Sequence, residues 1–250
     1  MREKDSAQWY PFPGWLRVTA GVVGVLLVLA IAGGFWLCRA AQHVPNFYQA
    51  TLDVPIETLE TAGDELEAQL LNLHNQVQDE NVWQAEFTEQ QINGWLAVDL
   101  PKLFPQAMTD GMSDPRVSIT DDHLLLACRI DDGNIPFVAS MDVGIFMTDQ
   151  PNTVGIRIHN TRVGAVPGLT NLVVDQIRYA AWRSRVRLKW AQQDGDPVAL
   201  VAVPGTIKVG REIRVDSITL KEGRVILTGK TAENPSREVS SRPDQFQQTR

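Results

Sequence analysis

Apolar residues along the chain follow three successive patterns. From Val18 to Cys38 they are continuous. VTAGVVGVLLVLAIAGGFWLC is 21 residues without a charge, and at 1.5 Å per residue it spans roughly 31 Å, close to the hydrocarbon thickness of a bilayer. From Glu57 to Glu80 the spacing becomes helical: Leu59, Ala62, Leu66, Leu70, Leu73 and Val77 form one stripe on an otherwise polar helix. Trp83, Ala85 and Phe87 then alternate, which predicts a short strand. Thr88-Glu89-Gln90-Gln91 has the form of a capping box. The helix it opens presents Ile92, Trp95, Leu96 and Leu100 on one side and is expected to end at Pro101. Asn93 and Asp99 fall off that stripe and are expected to face solvent.

After Pro115 the period changes to two. Val117 and Ile119 lead into an Asp121-Asp122 turn, followed by Leu124, Leu126, Cys128 and Ile130. Ile135 to Met147 is an alternating run of 13 residues, roughly 43 Å when extended. Gln150-Pro151-Asn152 turns the chain into Val154 to Val163. Val166-Pro167-Gly168 opens a second amphipathic helix, and short strands follow around Val198, Ile213, Leu220 and Val225. Strands of this length imply strong twist. The predicted fold class is α+β: an N-terminal transmembrane helix followed by a long, curved antiparallel sheet packed with amphipathic helices.

The flanks of the apolar run bear on its role. Trp15 and Trp36 stand near its ends, where interfacial aromatics gather, and Arg17 and Arg39 bracket it. Ala30-Ile31-Ala32 resembles a signal-peptide cleavage site, but the apolar run continues beyond it through Gly33, Gly34, Phe35, Trp36 and Leu37. Cys38 lacks the small preceding residues of a lipidated cysteine. An uncleaved anchor is therefore expected. Arg2, Lys4 and Arg17 precede the run against Arg39 just after it, which directs the large domain outward. The expected organisation is a cytoplasmic segment (1–17), a transmembrane helix (18–38), a juxtamembrane connector (39–56), an extracytoplasmic α+β domain (57–230) and a disordered tail (231–250).

Composition narrows the chemistry. The 250 residues carry a net charge of -7, which offers nucleic acid no overall attraction. Two cysteines exclude a disulfide scaffold or a multi-cysteine zinc site. There is no HExxH, no phosphate-binding glycine loop, no serine elbow and no CxxC. Cys128 lies in an alternating strand and reads as a core residue. Asp121-Asp122-His123 reads as a turn rather than a metal site, and Asp131, Asp132 and Asp142 as turn or exposed-strand residues. No enzyme, catalytic residue, metal or cofactor is expected.

A long sheet carrying amphipathic helices can enclose an elongated groove. Trp95, Phe137, Met141, Ile145 and Trp182 are the candidate lining, where large apolar side chains and an adaptable methionine suit an acyl chain. The competing reading is that each simply fills the core. Arg183, Arg185 and Arg187, in a basic cluster reaching Lys189, are candidate head-group contacts at up to about 1 kcal/mol per charge. The competing reading there is a solvated face.

Phe87 to Leu96, FTEQQINGWL, resembles the segment opening the extracytoplasmic domain of YpmS-like single-pass membrane proteins. Ile156-x-Ile158, Val163-Gly164 and Val166-Pro167 resemble that group's strand-Gly-x-x-Pro-helix arrangement. A more distant similarity is to tubular lipid-binding (TULIP-like) domains. The resemblance implies that Thr88, Gln91, Asn93 and Leu96 belong to a helix-opening motif, and Gly164 and Pro167 to a sheet-to-helix junction; it implies no catalytic position. Trp95 and Gly168 depart from the family pattern, which bears on pocket shape. The expected function is a membrane-anchored envelope protein that binds a lipid or other amphiphile in an apolar groove without catalysis. The alternative is a structural or protein-interaction domain with a filled core, contacting an envelope protein.

Overall fold

The computed structural model describes residues 28–36, 39–79, 82–108, 111–131, 133, 136–168, 170–183, 188–205 and 211–233. Residues 28–36 and 39–41 are helical. They lead into α1 (Asn46–Leu52) and α2 (Ile56–Asp79). Then come β1 (Val82–Thr88), α3 (Glu89–Leu103) and a 3-10 turn (Pro105–Ala107). Strands β2 (Met112–Ile119), β3 (Leu124–Ile130), β4 (Phe137–Met147), β5 (Thr153–Val163) and the two-residue β6 (Val166–Pro167) follow. Helix α4 (Thr170–Arg183) precedes β7 (Leu188–Gln193), β8 (Asp196–Ala202), β9 (Arg211–Lys221) and β10 (Arg224–Glu233).

The protein is α+β with a large antiparallel sheet and several helices. The strands divide between two sheets where one long sheet was expected. One has the order β1-β10-β9; the other runs β2-β3-β4-β5-β8-β7, with β6 paired to β5. The break has a local cause. The outer edge of β2 is occupied by side chains of α3, described below, so β1 and the β9–β10 hairpin cannot continue the larger sheet there. They pack across it instead: Leu220 of β9 joins Val117 and Ile119 of β2 in one apolar cluster with Leu96, Leu124 and Leu126.

Three further clusters complete the described core. Leu66 of α2 packs with Ala85 and Phe87 of β1. Val77, Trp83 and Ile213 close the other end of α2. On the opposite face of the large sheet, Tyr48 of α1 packs against Ala127 and Val138. The region expected as a connector therefore carries a helix whose Tyr48 is fully buried. Tyr48 donates its hydroxyl to the carbonyl of Asp114 at 2.8 Å. Burial, reinforced by the nearby Asp114, pushes this phenol up to about 12.

Sequence periodicity located most elements to within two residues, with instructive exceptions. Leu70 belongs to the expected α2 stripe but is 46% exposed, while Gly63 turns inward. Pro101 does not end α3. In the last turn it removes only its own donor, and the Phe104 N–H still closes on the Leu100 carbonyl at 2.9 Å. The described part of the long run is an 11-residue β4, Ile135 lying outside the described residues. Strand β10 continues to Glu233, past the expected domain end at 230.

No helix among the described residues is long and apolar enough to cross a membrane. Most of the expected span Val18–Cys38, the segment 1–17 and residues 234–250 of the expected tail lie outside the described residues. The described part of the span, 28–36, is exposed throughout, with Val28, Leu29, Ile31, Phe35 and Trp36 between 62% and 72% accessible.

Candidate functional site

The FTEQQINGWL segment is where sequence and geometry meet most closely. Thr88 caps α3: its hydroxyl accepts from the Gln91 N–H at 3.2 Å, and the Gln91 side chain accepts from the Thr88 N–H at 3.0 Å. The capping box is formed as expected. Asn93, expected in solvent, is only 4% exposed. Its carboxamide donates to the Val117 carbonyl and accepts from the Val117 N–H, both at 2.8 Å. Two residues along β2, the Ile119 N–H donates to the Glu89 carboxylate at 2.7 Å, and the Ile119 carbonyl accepts from Gly223 N–H at 2.9 Å.

This arrangement is a matter of matched spacings. Four residues of helix rise about 6 Å, and two residues of strand advance about 6.8 Å. Glu89 and Asn93 can therefore meet alternate residues of an edge strand, and every outward backbone group of Val117 and Ile119 finds a partner. Asn152, in the β4–β5 turn, repeats the device: it donates to the Ile213 carbonyl at 2.6 Å and accepts from the Val215 N–H at 2.9 Å. Gly94 completes the corner. A Cβ there would collide with the Leu59 carbonyl oxygen and the Gly63 amide nitrogen, so α2 and α3 touch backbone to backbone. Thr88, Glu89, Gln91, Asn93 and Gly94 thus each have a structural task. The signal for Asn93 was present in its i+4 spacing from Glu89, but an apolar stripe analysis discards polar residues.

The groove candidates fall in three places. Trp95 packs on the Leu66, Ala85 and Phe87 cluster and lies 6.0 Å from the Phe104 ring. Phe137, Met141 and Ile145 are half-buried and share one face of β4. Strand register places Met141 opposite Thr161, and aligns Ile145 with Ile156, Ala199 and Trp190. Helix α4 reaches both rows on that face. Thr170 and Thr161 hydroxyls are 2.9 Å apart, and the Arg178 guanidinium sits 5.6 Å over the Trp190 ring. Val143, between the two rows, is fully buried, as is Val174 of α4. Strand β4 therefore lies between α4, which rests on β5 and reaches Trp190 of β7, and β9, which crosses β4 itself while its Leu220 packs on β2. Trp182 points outward, 74% exposed, beside Tyr179.

Arg183 is exposed and stacks on Tyr179 at 5.5 Å. Arg185 and Arg187 lie outside the described residues. Among the described residues, the five most prominent clefts are not lined by Trp95, Phe137, Met141, Ile145 or Trp182. The largest, about 800 Å³, lies where the N-terminal helical segment meets α1; the next, about 620 Å³, opens between α1 and the start of α3.

Polar groups elsewhere are arranged as surface ties. Asp196 accepts from Arg157 Nε at 2.9 Å and lies 3.0 Å from His159 Nδ1, and the His159 ring meets His123 edge-on at 5.4 Å. No group of three or more metal-ligating side chains gathers among the described residues. Cys128 is half-buried, and desolvation pushes its thiol up to about 11. That shift disfavours the thiolate a nucleophile requires.

No family model, curated protein or solved structure matches this chain.

Proposed function

We propose that this is a membrane-anchored, non-catalytic envelope protein whose outer domain accepts the apolar part of a lipid or other amphiphile along the β4 seam. The YpmS-like resemblance and the charge-free run Val18–Cys38 are consistent with that location. The observation that carries the reading is the half-buried row Phe137, Met141 and Ile145, on the face of the sheet that α4 meets through Thr161 and Trp190. Helix α4 is tied near its start through Thr170 and further along through Arg178, so its margin can separate from β4 without breaking a backbone ladder. An acyl chain entering there leaves water at about 25 cal/mol per Å² of apolar surface. Arg183, and Arg185 and Arg187 beyond it, supply positive charge for an anionic head group.

A second reading has its own support. The described clefts avoid the seam, and Val143 in its middle is fully buried. A filled interior with exposed Tyr179 and Trp182 suits a protein-interaction domain. A diazirine-tailed fatty acid, added to the full chain in nanodiscs, separates the two. Crosslinks at Phe137, Met141 or Ile145 support the amphiphile reading. Labelling confined to residues 18–38 and to other exposed surfaces overturns it in favour of the interaction domain.

A further inference from the structure

The cleft beside the N-terminal helical segment has a chemistry of its own. Trp36, Arg39, Gln42, His43, Asn46 and Gln49 line it, with backbone and small side chains filling in between, and it encloses about 800 Å³. That volume lies within the range of small-ligand sites. Its polar side chains are a guanidinium, an imidazole and three carboxamides, and all can donate hydrogen bonds. No carboxylate lines it, although the chain carries a net charge of -7.

The wall of the cleft is fixed to the sheet. The Ala165 N–H donates to the Ala40 carbonyl at 2.7 Å, and the Gly164 N–H donates to Val138 of β4 at 2.7 Å. Gly164 adopts φ +57 and lies so close to the Ala40 and Ala41 carbonyls that a side chain would collide with them. Directly before the cleft, Val28, Leu29, Ile31, Phe35 and Trp36 are exposed among the described residues. A ligand at Arg39 thus meets donors on one side and an apolar helix on the other. An anionic phospholipid at a bilayer surface has that division: a phosphodiester above and acyl chains below.

We infer that this cleft holds the phosphate of an anionic phospholipid drawn from the membrane in which the chain is anchored. The inference rests on the membrane-anchored reading and is independent of the β4 seam. Arg39 binds the phosphodiester through its planar fork, His43 and the carboxamides donate to the remaining oxygens, and Trp36 covers the glycerol backbone.

The full chain is reconstituted into phosphatidylcholine vesicles containing phosphatidylglycerol, extracted in mild detergent, and its retained lipids are counted by native mass spectrometry. One phosphatidylglycerol per chain is expected, enriched over the bulk ratio by about tenfold, the scale of one charge-assisted hydrogen bond. Arg39→Gln/His43→Gln returns retention to the bulk ratio, whereas Arg214→Gln, on β9, leaves it unchanged. Enrichment that survives Arg39→Gln/His43→Gln overturns the inference. Displacement of the lipid by free glycerol phosphate assigns the cleft to a soluble phosphate compound instead. A chain that resists alkaline carbonate yet retains lipids at the bulk ratio defeats this site and leaves the anchor standing. Release of the wild-type chain by carbonate defeats both.

Discussion

Helices α3 and α4 both lie against the large sheet, but they are held by different physics. Helix α3 is fastened by directional contacts: Glu89 and Asn93 satisfy the backbone of β2, the capping box closes its first turn, and Gly94 lets α2 approach to backbone contact. Among the described residues, helix α4 is held by a hydroxyl pair, a guanidinium-on-indole contact, the buried Val174 and its approach to the Pro105–Ala107 turn, while Tyr179 and Trp182 stay in solvent. The first arrangement has one geometry and fails when an atom is added or removed. The second tolerates displacement. A region that must open for a ligand is drawn from the less tightly held part of a fold, which is why the proposed function is assigned to the α4 side.

That contrast can be broken most severely at Gly94. Gly94→Val drives a branched side chain into the α2 backbone and is expected to cost about 3 kcal/mol or more; urea unfolding of the full chain in detergent reads this as a lowered midpoint. Asn93→Leu strands the buried N–H and carbonyl of Val117. A loss of about 2–3 kcal/mol is expected in the same measurement, and a variant as stable as wild type removes the clip from the account.

Cys128 sharpens the comparison from the chemical side. With its thiol pushed up from 9.0 to about 11, native alkylation below pH 9 in a Cys38→Ser background is expected to run about a hundredfold slower than in the unfolded chain. The neutral thiol is favoured in the folded state. Its contribution to stability is therefore fully present below the unfolded value near 9 and is lost as pH rises through about 11. A Cys128→Ala variant shows less of that alkaline decline. Thr88→Ala, removing the cap of α3, is expected to cost about 1 kcal/mol. Trp182→Ser, on the exposed side of α4, stays within about 0.5 kcal/mol of wild type and leaves crosslinking of the acyl probe at the β4 seam unchanged.

The sequence disclosed the elements more fully than their assembly. Periodicity found α2, and alternation found β2 to β5, because burial on one face imposes those periods on apolar residues. The capping box was legible because its partners lie three residues apart. Asn93 and Asn152 were not, because their partners are backbone groups 24 and 61 residues away and carry no side-chain signature. The separation into two sheets follows from that same omission. The candidate row Phe137, Met141 and Ile145 was recognisable as one face of a strand. Its sharing a face with Thr161 and Trp190, which α4 meets, depends on cross-strand register, which no local pattern contains. The cleft at Arg39 and His43 was invisible for a related reason: its shape depends on Gly164, far along the chain.

The central claim, that α4 is a yielding cover over an amphiphile-accepting seam while α3 is fixed, is tested most directly by hydrogen exchange on the full chain in nanodiscs, before and after adding oleic acid. The account predicts that amides of residues 171–183 exchange faster than those of α3 and slow by about tenfold with the fatty acid, a gain of about 1.4 kcal/mol, while α3 does not change. Equal protection of the two helices, unaltered by the fatty acid, would contradict it.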